Sequence, residues 1–171
     1  MSLCYPGWAM SFLIRPVTPE DAAAALGVMH AAHAWNLANG FNFTVADITA
    51  VRLAPHLVPE RFFVAIAPDG TLIGTVEVKP EDPARPWYAP GDWGLHMLAV
   101  APEAAGQGVG RALVDQAEAL AAAAGAARMV LNTPEDHPWL PAFYRRLGYV
   151  DYFRYHWDGK RYWSTFLAKA L

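Results

Sequence analysis

The chain has 171 residues, 54% of them hydrophobic and 17% charged, with 13 Lys and Arg against 16 Asp and Glu for a formal net charge of −3. That length suits one domain with its own core and leaves little for a second. No basic block is present to attract nucleic acid or an anionic membrane surface. Cys4 is the only cysteine, which excludes an intramolecular disulfide or a thiolate metal cluster and fits a cytoplasmic setting.

Residues 1–10 read as an extension without the basic and apolar regions of a signal peptide, and Met10 is a second candidate start. No apolar run approaches a membrane span. The remainder, residues 11–171, is expected to form one domain. Phe12 to Arg15 reads as a strand. Thr18-Pro19-Glu20-Asp21 reads as a helix start with a Thr-x-x-Asp capping box, and the helix is expected to end near His33 or Trp35. A second helical piece is expected over Val45 to Leu53, capped by Thr44. Arg61 to Ala67 and Thr71 to Lys79 form a hairpin across Pro68-Asp69-Gly70. A Pro-rich loop, residues 80–92, precedes a strand over Trp93 to Val100. Gly110 to Ala124 carries a helical apolar stripe of Leu113, Ala117 and Leu120. A strand at Arg128 to Asn132, a helix at Leu140 to Leu147 and a hairpin pairing Tyr149 to Trp157 with Tyr162 to Lys169 complete the chain. The order is α/β, with one mixed sheet flanked by helices.

The segment Leu98 to Leu113 sets a strand, a Gly-rich turn and a helix in immediate succession. Glycines at 106, 108 and 110 let backbone N–H groups converge at a helix N-terminus, where a diphosphate would be stabilised. The spacing is neither a Walker loop nor the dinucleotide G-x-G-x-x-G pattern. The histidines at 30, 33, 96, 137 and 156 match no zinc spacing, no Ser sits in a Gly-x-Ser-x-Gly elbow, and no metal is expected.

Leu98 to Leu113, with Tyr144-Arg145-Arg146-Leu147-Gly148-Tyr149 and the opening Arg15 to Ala22, resembles the Gcn5-related N-acetyltransferase superfamily. The resemblance implies a mostly antiparallel sheet with a splayed central parallel strand pair, and acetyl-CoA as acyl donor. It implies donor contacts at Leu98, Ala99, Val100, Gly106, Gln107, Gly108, Val109, Gly110, Arg111, Asn132, His137 and Tyr144. It also implies that backbone N–H groups near Leu98 to Val100 meet the developing oxyanion. Ala105 stands where members commonly carry Gln or Arg, and the Asp136-His137-Pro138-Trp139-Leu140-Pro141 segment departs from the family pattern.

A phenol is protonated at neutral pH, so Tyr144 suits protonation of a leaving thiolate, a role the resemblance also gives it. His96 is the first candidate for accepting the proton of the amine, on the strand face shared with Gly94 and Leu98. Glu77 and Asp92 are further candidates. The resemblance sets Trp35, Phe41, Phe43, Trp87, Tyr88 and Trp93 beside the acceptor entrance, with His96. Such walls suit a small or amino-acid-like amine. The alternatives are a protein N-terminus or lysine as acceptor, or a non-catalytic acyl-CoA sensor. A homodimer is a further expectation from the apolar and aromatic content.

Overall fold

The computed structural model describes residues 11–171. The expected extension, residues 1–10, lies outside the described residues. The chain opens with strand β1 (Leu13–Pro16), a 3-10 turn at Pro19–Asp21 and helix α1 (Ala22–Ala38). The helix start forms as its residues suggest, with a partner added from β1. The Asp21 carboxylate accepts the Thr18 N–H at 2.7 Å and two guanidinium N–H groups of Arg15 at 2.7 and 2.9 Å.

The Arg15 hydrogen bonds hold the Asp21 carboxyl below its usual range. A lowered folded-state pKa gives stability that is present above the unfolded value, near 4, and is lost as pH falls through the folded one. Asp21→Asn is therefore expected to cost about 1–2 kcal/mol at neutral pH. In urea melts the gap to wild type should close below about pH 4. A gap independent of pH would assign the cost to packing instead.

Helix α1 runs past the expected end because Asn39 and Gly40 close it one turn later. The Asn39 N–H and side-chain amide both donate to the Trp35 carbonyl, at 3.0 and 2.8 Å, and Gly40 takes φ +90°. The added turn carries Asn36, which matters below. Helix α2 (Ala50–Leu53) is shorter than expected and is capped by Thr49, which accepts the Arg52 N–H at 3.3 Å. Thr44, the expected cap, instead accepts a hydrogen bond from Lys160.

Strands β2 (Phe62–Ile66), β3 (Leu72–Pro80) and β4 (Asp92–Val100) lead into helix α3 (Val109–Ala123). Strand β5 (Arg128–Pro134), helix α4 (Leu140–Arg146) and strands β6 (Val150–Tyr155) and β7 (Ser164–Ala170) follow. One seven-stranded sheet results, in the order β1-β2-β3-β4-β5-β7-β6. Every neighbouring pair is antiparallel except β4 and β5. Helices α1 and α3 both pack on β3 and β4. Met29, Phe62, Val76, Leu113, Met129 and Leu167 are fully buried in the core between helices and sheet. No helix among the described residues is long and apolar enough to cross a membrane.

Two features of β4 open the sheet at its centre. Its parallel pairing with β5 covers only Asp92↔Arg128, Trp93↔Met129 and Gly94↔Val130. The closed end of this fork is pinned by Arg128, which donates to both Asp92 carboxylate oxygens at 2.6 and 2.9 Å. Asp92 also accepts the Ala89 N–H at 2.8 Å, so this candidate base is committed to structure. Beyond Gly94, β4 stays on β3 and β5 stays on β7, leaving a gap between them. The second feature is a bulge: His96 pairs with Glu77 and Ala99 with Thr75, so Met97 and Leu98 stand against Val76 alone. Met97 takes φ +50°, the one left-handed non-glycine residue among those described.

Candidate active site

The fork opens into a continuous cavity of about 850 Å³ that runs from the α3 N-terminus to the segment after α1. At the α3 end, Gly106 and Gly108 have φ of +76° and +84°, and a Cβ on either would meet nothing within 4 Å. These glycines are required for their backbone dihedrals, and the space above them is open to a ligand. The first helical bond runs from the Ala112 N–H to the Gly108 carbonyl at 3.0 Å. The amides of Gly108, Val109, Gly110 and Arg111 therefore have no partner within the helix. Arg111 and Arg146 add cationic lining at this end. A free-amide turn, a helix N-terminus and two arginines suit a polyphosphate.

Along the gap the cavity is lined by Leu95 to Val100 on one side and Leu131 to Pro134 on the other, with Phe143 and Tyr144 from α4. The Met97 carbonyl accepts the hydroxyl of fully buried Thr75 at 2.8 Å. Since the peptide is trans, the Leu98 N–H of the same plane points the opposite way, toward the side that β5 has left. Tyr144 is buried, its ring edge-on to Phe143 and Tyr149 at 5.1 and 5.9 Å. Burial pushes its phenol pKa well above 10, so it remains protonated across the neutral range.

His96 lines the cavity, and its Nε2 lies 2.5 Å from Glu81 Oε1. An ionised carboxylate only accepts, so Nε2 is the donor of this contact, and in the neutral ring Nδ1 then keeps its lone pair. Glu81 is largely buried, and nothing in its Pro-rich surroundings marked it beforehand. Gly94 makes the pair fit. A Cβ there would lie 1.7 Å from Glu81 Oε1 and 2.4 Å from His96 Nε2.

Several expected residues lie elsewhere. Glu77 is fully buried, outside the cavity, and is consumed by His56 Nδ1 at 2.9 Å and Lys79 Nζ at 3.2 Å. A carboxylate compensated this way is not a free base. Gln107 turns its side chain back to the Glu103 carbonyl at 2.9 Å, leaving only its main chain at the turn. His137 is buried beneath the cavity wall with both ring nitrogens engaged, so it has no side-chain contact to offer a donor. Its Nδ1 accepts the Leu140 N–H at 3.2 Å, and its Nε2 contacts Asn36 Oδ1 at 2.8 Å.

This histidine sets a relay. The backbone donor fixes the His137 proton on Nε2. The Asn36 amide oxygen is then the acceptor, and its nitrogen donates to His33 Nδ1 at 2.9 Å. His33 consequently carries its proton on Nε2. Burial lowers its pKa to about 4, which keeps the ring neutral. His33 and Asn36 both line the cavity, and neither was marked by a motif.

Of the aromatic residues expected at the acceptor entrance, Phe43 lines the cavity. Trp35 and Phe41 form the layer behind it, with Trp35 4.5 Å from Trp139 and Phe41 4.8 Å from His137 between ring centroids. Trp87 packs on Tyr155 and Trp157 at 4.8 and 5.1 Å and supports the β6–β7 side, while Tyr88, 6.2 Å from Trp87, sets its phenol against Glu81; neither lines the cavity. Trp93 packs against the hydrophobic core. The cavity is instead lined by the aromatic side chains of Phe43, Trp139, Trp157 and Tyr162. Among the described residues no group of three or more His, Cys, Asp or Glu side chains is placed to hold a metal.

A forked, bulged parallel pair beside a Gly-rich helix start defines the acyl-CoA N-acyltransferase class of fold. The profile of the Acetyltransferase (GNAT) family matches residues 30–149, and the chain belongs to that family. A mycothiol acetyltransferase of Frankia casuarinae is 34% identical over 153 residues, covering 85% of this chain and 44% of that protein. The chain thus spans under half the length of that relative. An S-alkylcysteine N-acetyltransferase of Bacillus subtilis is 31% identical over 154 residues, covering 86% of this chain and 83% of the relative. Among solved structures, the PaiA N-acetyltransferase of Thermoplasma acidophilum in complex with coenzyme A superposes with a TM-score of 0.74. It is 21% identical and covers 95% of this chain and 100% of its own.

Proposed function

We propose that the chain transfers an acetyl group from acetyl-CoA to the primary amine of a small, amino-acid-like acceptor within a ternary complex. One observation carries the reading: a single cavity is lined by the Gly106–Gly108 turn, the bulged strand, Tyr144 and His96. The names of the relatives support it, since the S-alkylcysteine enzyme covers nearly the same length.

Acetyl-CoA supplies the acyl group as a thioester whose carbonyl oxygen gains charge under attack. The free amides at the α3 N-terminus, with Arg111 and Arg146, hold the phosphates of the donor. Leu98 to Val100 and Asn132 flank the rest of the donor in the gap. The Leu98 N–H is aimed at the developing oxyanion. His96 Nδ1 accepts the proton of the amine, directly or through one water, and Glu81 fixes the ring's tautomer and orientation. Tyr144 donates its phenolic proton toward the departing sulfur.

Thr75 is a positioning residue in this scheme, since its hydroxyl holds the peptide that carries the Leu98 N–H. Thr75→Val keeps the shape and removes the bond, and is expected to lower kcat about 10-fold while leaving the KM for acetyl-CoA near wild type. Thr75→Ser should recover most of the loss. Steady-state kinetics with both variants checks this, and an equal rise in KM would assign Thr75 to donor binding. The function itself is tested by CoA release over a panel of small amines and amino acids. Tight acetyl-CoA binding without turnover of any member would favour a sensor over an enzyme.

A further inference from the structure

The end of the cavity away from the α3 N-terminus contains a cation with no carboxylate in contact, although Asp47 attracts it at longer range. Lys160, in the loop between β6 and β7, lines the wall beside Phe43, Thr44 and Tyr162. Its ammonium donates to two neutral oxygens, the Asn42 carbonyl and Thr44 Oγ1. No ion pair joins it to a carboxylate of the described residues. An ammonium has three N–H donors, so one is left for a ligand.

The position is built. The Asn42 side-chain amide donates to the Gly159 carbonyl at 2.9 Å, and Asn42 Oδ1 accepts the Arg161 N–H at 3.2 Å. With the two Lys160 bonds, these staple the loop to the connector after α1 across more than 110 residues of sequence. Partial burial lowers the Lys160 pKa, with Arg52 acting in the same sense and Asp47 only partly offsetting them, as expected for a charge brought out of water without a contact counter-ion. The neighbouring walls, Phe43, Trp157 and Tyr162, are aromatic and suit an apolar side chain.

We infer that Lys160 binds the carboxylate of the acceptor, which makes the preferred acceptor an α-amino acid with an apolar side chain over a simple alkylamine. The inference rests on the acetyltransfer reading above and deepens it. Asp158 also lines this end, and it represents the rival outcome, selection of a purely cationic amine.

The test compares S-methylcysteine with methylthioethylamine, the same molecule without its carboxylate. Wild type should use the amino acid with kcat/KM about 10–100-fold higher. In Lys160→Gln that preference should collapse through loss of S-methylcysteine turnover alone. Lys160→Arg, which retains the charge, should recover part of it. Acetyl-CoA binding and the melting temperature report on folding, and Lys160→Met, which keeps the aliphatic stem, serves if the Gln variant is unstable. A loop-stapling role alone would depress both acceptors equally and would overturn the inference. Wild-type preference for methylthioethylamine would also overturn it, while leaving amine acetylation intact. Turnover of neither acceptor would defeat the amino-acid-like acceptor reading itself and this assignment with it.

Discussion

Tyr144→Phe is expected to lower kcat about 10²–10³-fold, the range for removing a positioned general acid, with acetyl-CoA affinity unchanged. Phenylalanine preserves the ring that packs edge-on to Phe143 and Tyr149, so the substitution removes a proton donor and little else. The pH dependence provides a sharper signature. Burial raises the phenol pKa above its ordinary value near 10, so Tyr144 is a protonated donor throughout the accessible range. Its loss should lower the whole rate profile below about pH 10 without moving either limb. Turnover near the wild-type level in the Phe variant would remove Tyr144 from the chemistry. A displaced limb would show that Tyr144 acts by tuning another group.

The second large effect comes from a residue with no functional group. Gly94→Ala should reduce kcat/KM about 10²-fold or more, because its methyl would occupy the space in which Glu81 meets His96. Both obstructing atoms are the ends of flexible side chains, so the side chains should swing aside while the sheet persists. The expected variant is therefore folded, binds acetyl-CoA as wild type does, and fails in proton removal. His96→Ala should show a comparable loss, and combining it with Gly94→Ala should add little, since both remove the same pair. Additive losses would mean that Gly94 serves some other purpose.

How far the site could be read from sequence depended on how far apart its parts lie along the chain. The Gly106–Gly108 turn was legible because strand, turn and helix are contiguous and their chemistry is local. Tyr144 was marked by its phenol and by the family resemblance around Gly148, and it lies in the cavity wall. His96 could be placed on a strand face, but its partner Glu81 sits 15 residues away in a loop whose prolines conceal its direction. The bulge at Met97 depends on a register count between two strands and on the Thr75 bond, neither of which composition encodes. His137 illustrates the reverse error. It lies at the expected donor position, yet Asn36, 101 residues earlier, takes its Nε2.

The aromatic residues divide in the same way. Trp87 and Tyr88 lie in a loop that sequence could only describe as structured, and contacts with β6 and β7 turn them away from the cavity. Trp157, Tyr162 and Lys160 reach the cavity only because the terminal hairpin loop crosses onto the segment after α1. The order of elements followed closely from hydrophobic periodicity and turn residues, while the splayed parallel pair was implied by the family resemblance. Boundaries moved where a side chain had a tertiary obligation, as when Thr44 bonded Lys160 and left Thr49 to cap α2.

The most direct test follows the acetyl group itself, using acetyl-CoA labelled with 13C in the acetyl carbonyl and S-methylcysteine as acceptor. The label should appear as an amide on the amino nitrogen, with one CoA released for each amide formed and no acetylated protein accumulating before the acceptor is added. CoA bound tightly with the label left as thioester, across this acceptor and the amine panel, would contradict acetyl transfer to an amine.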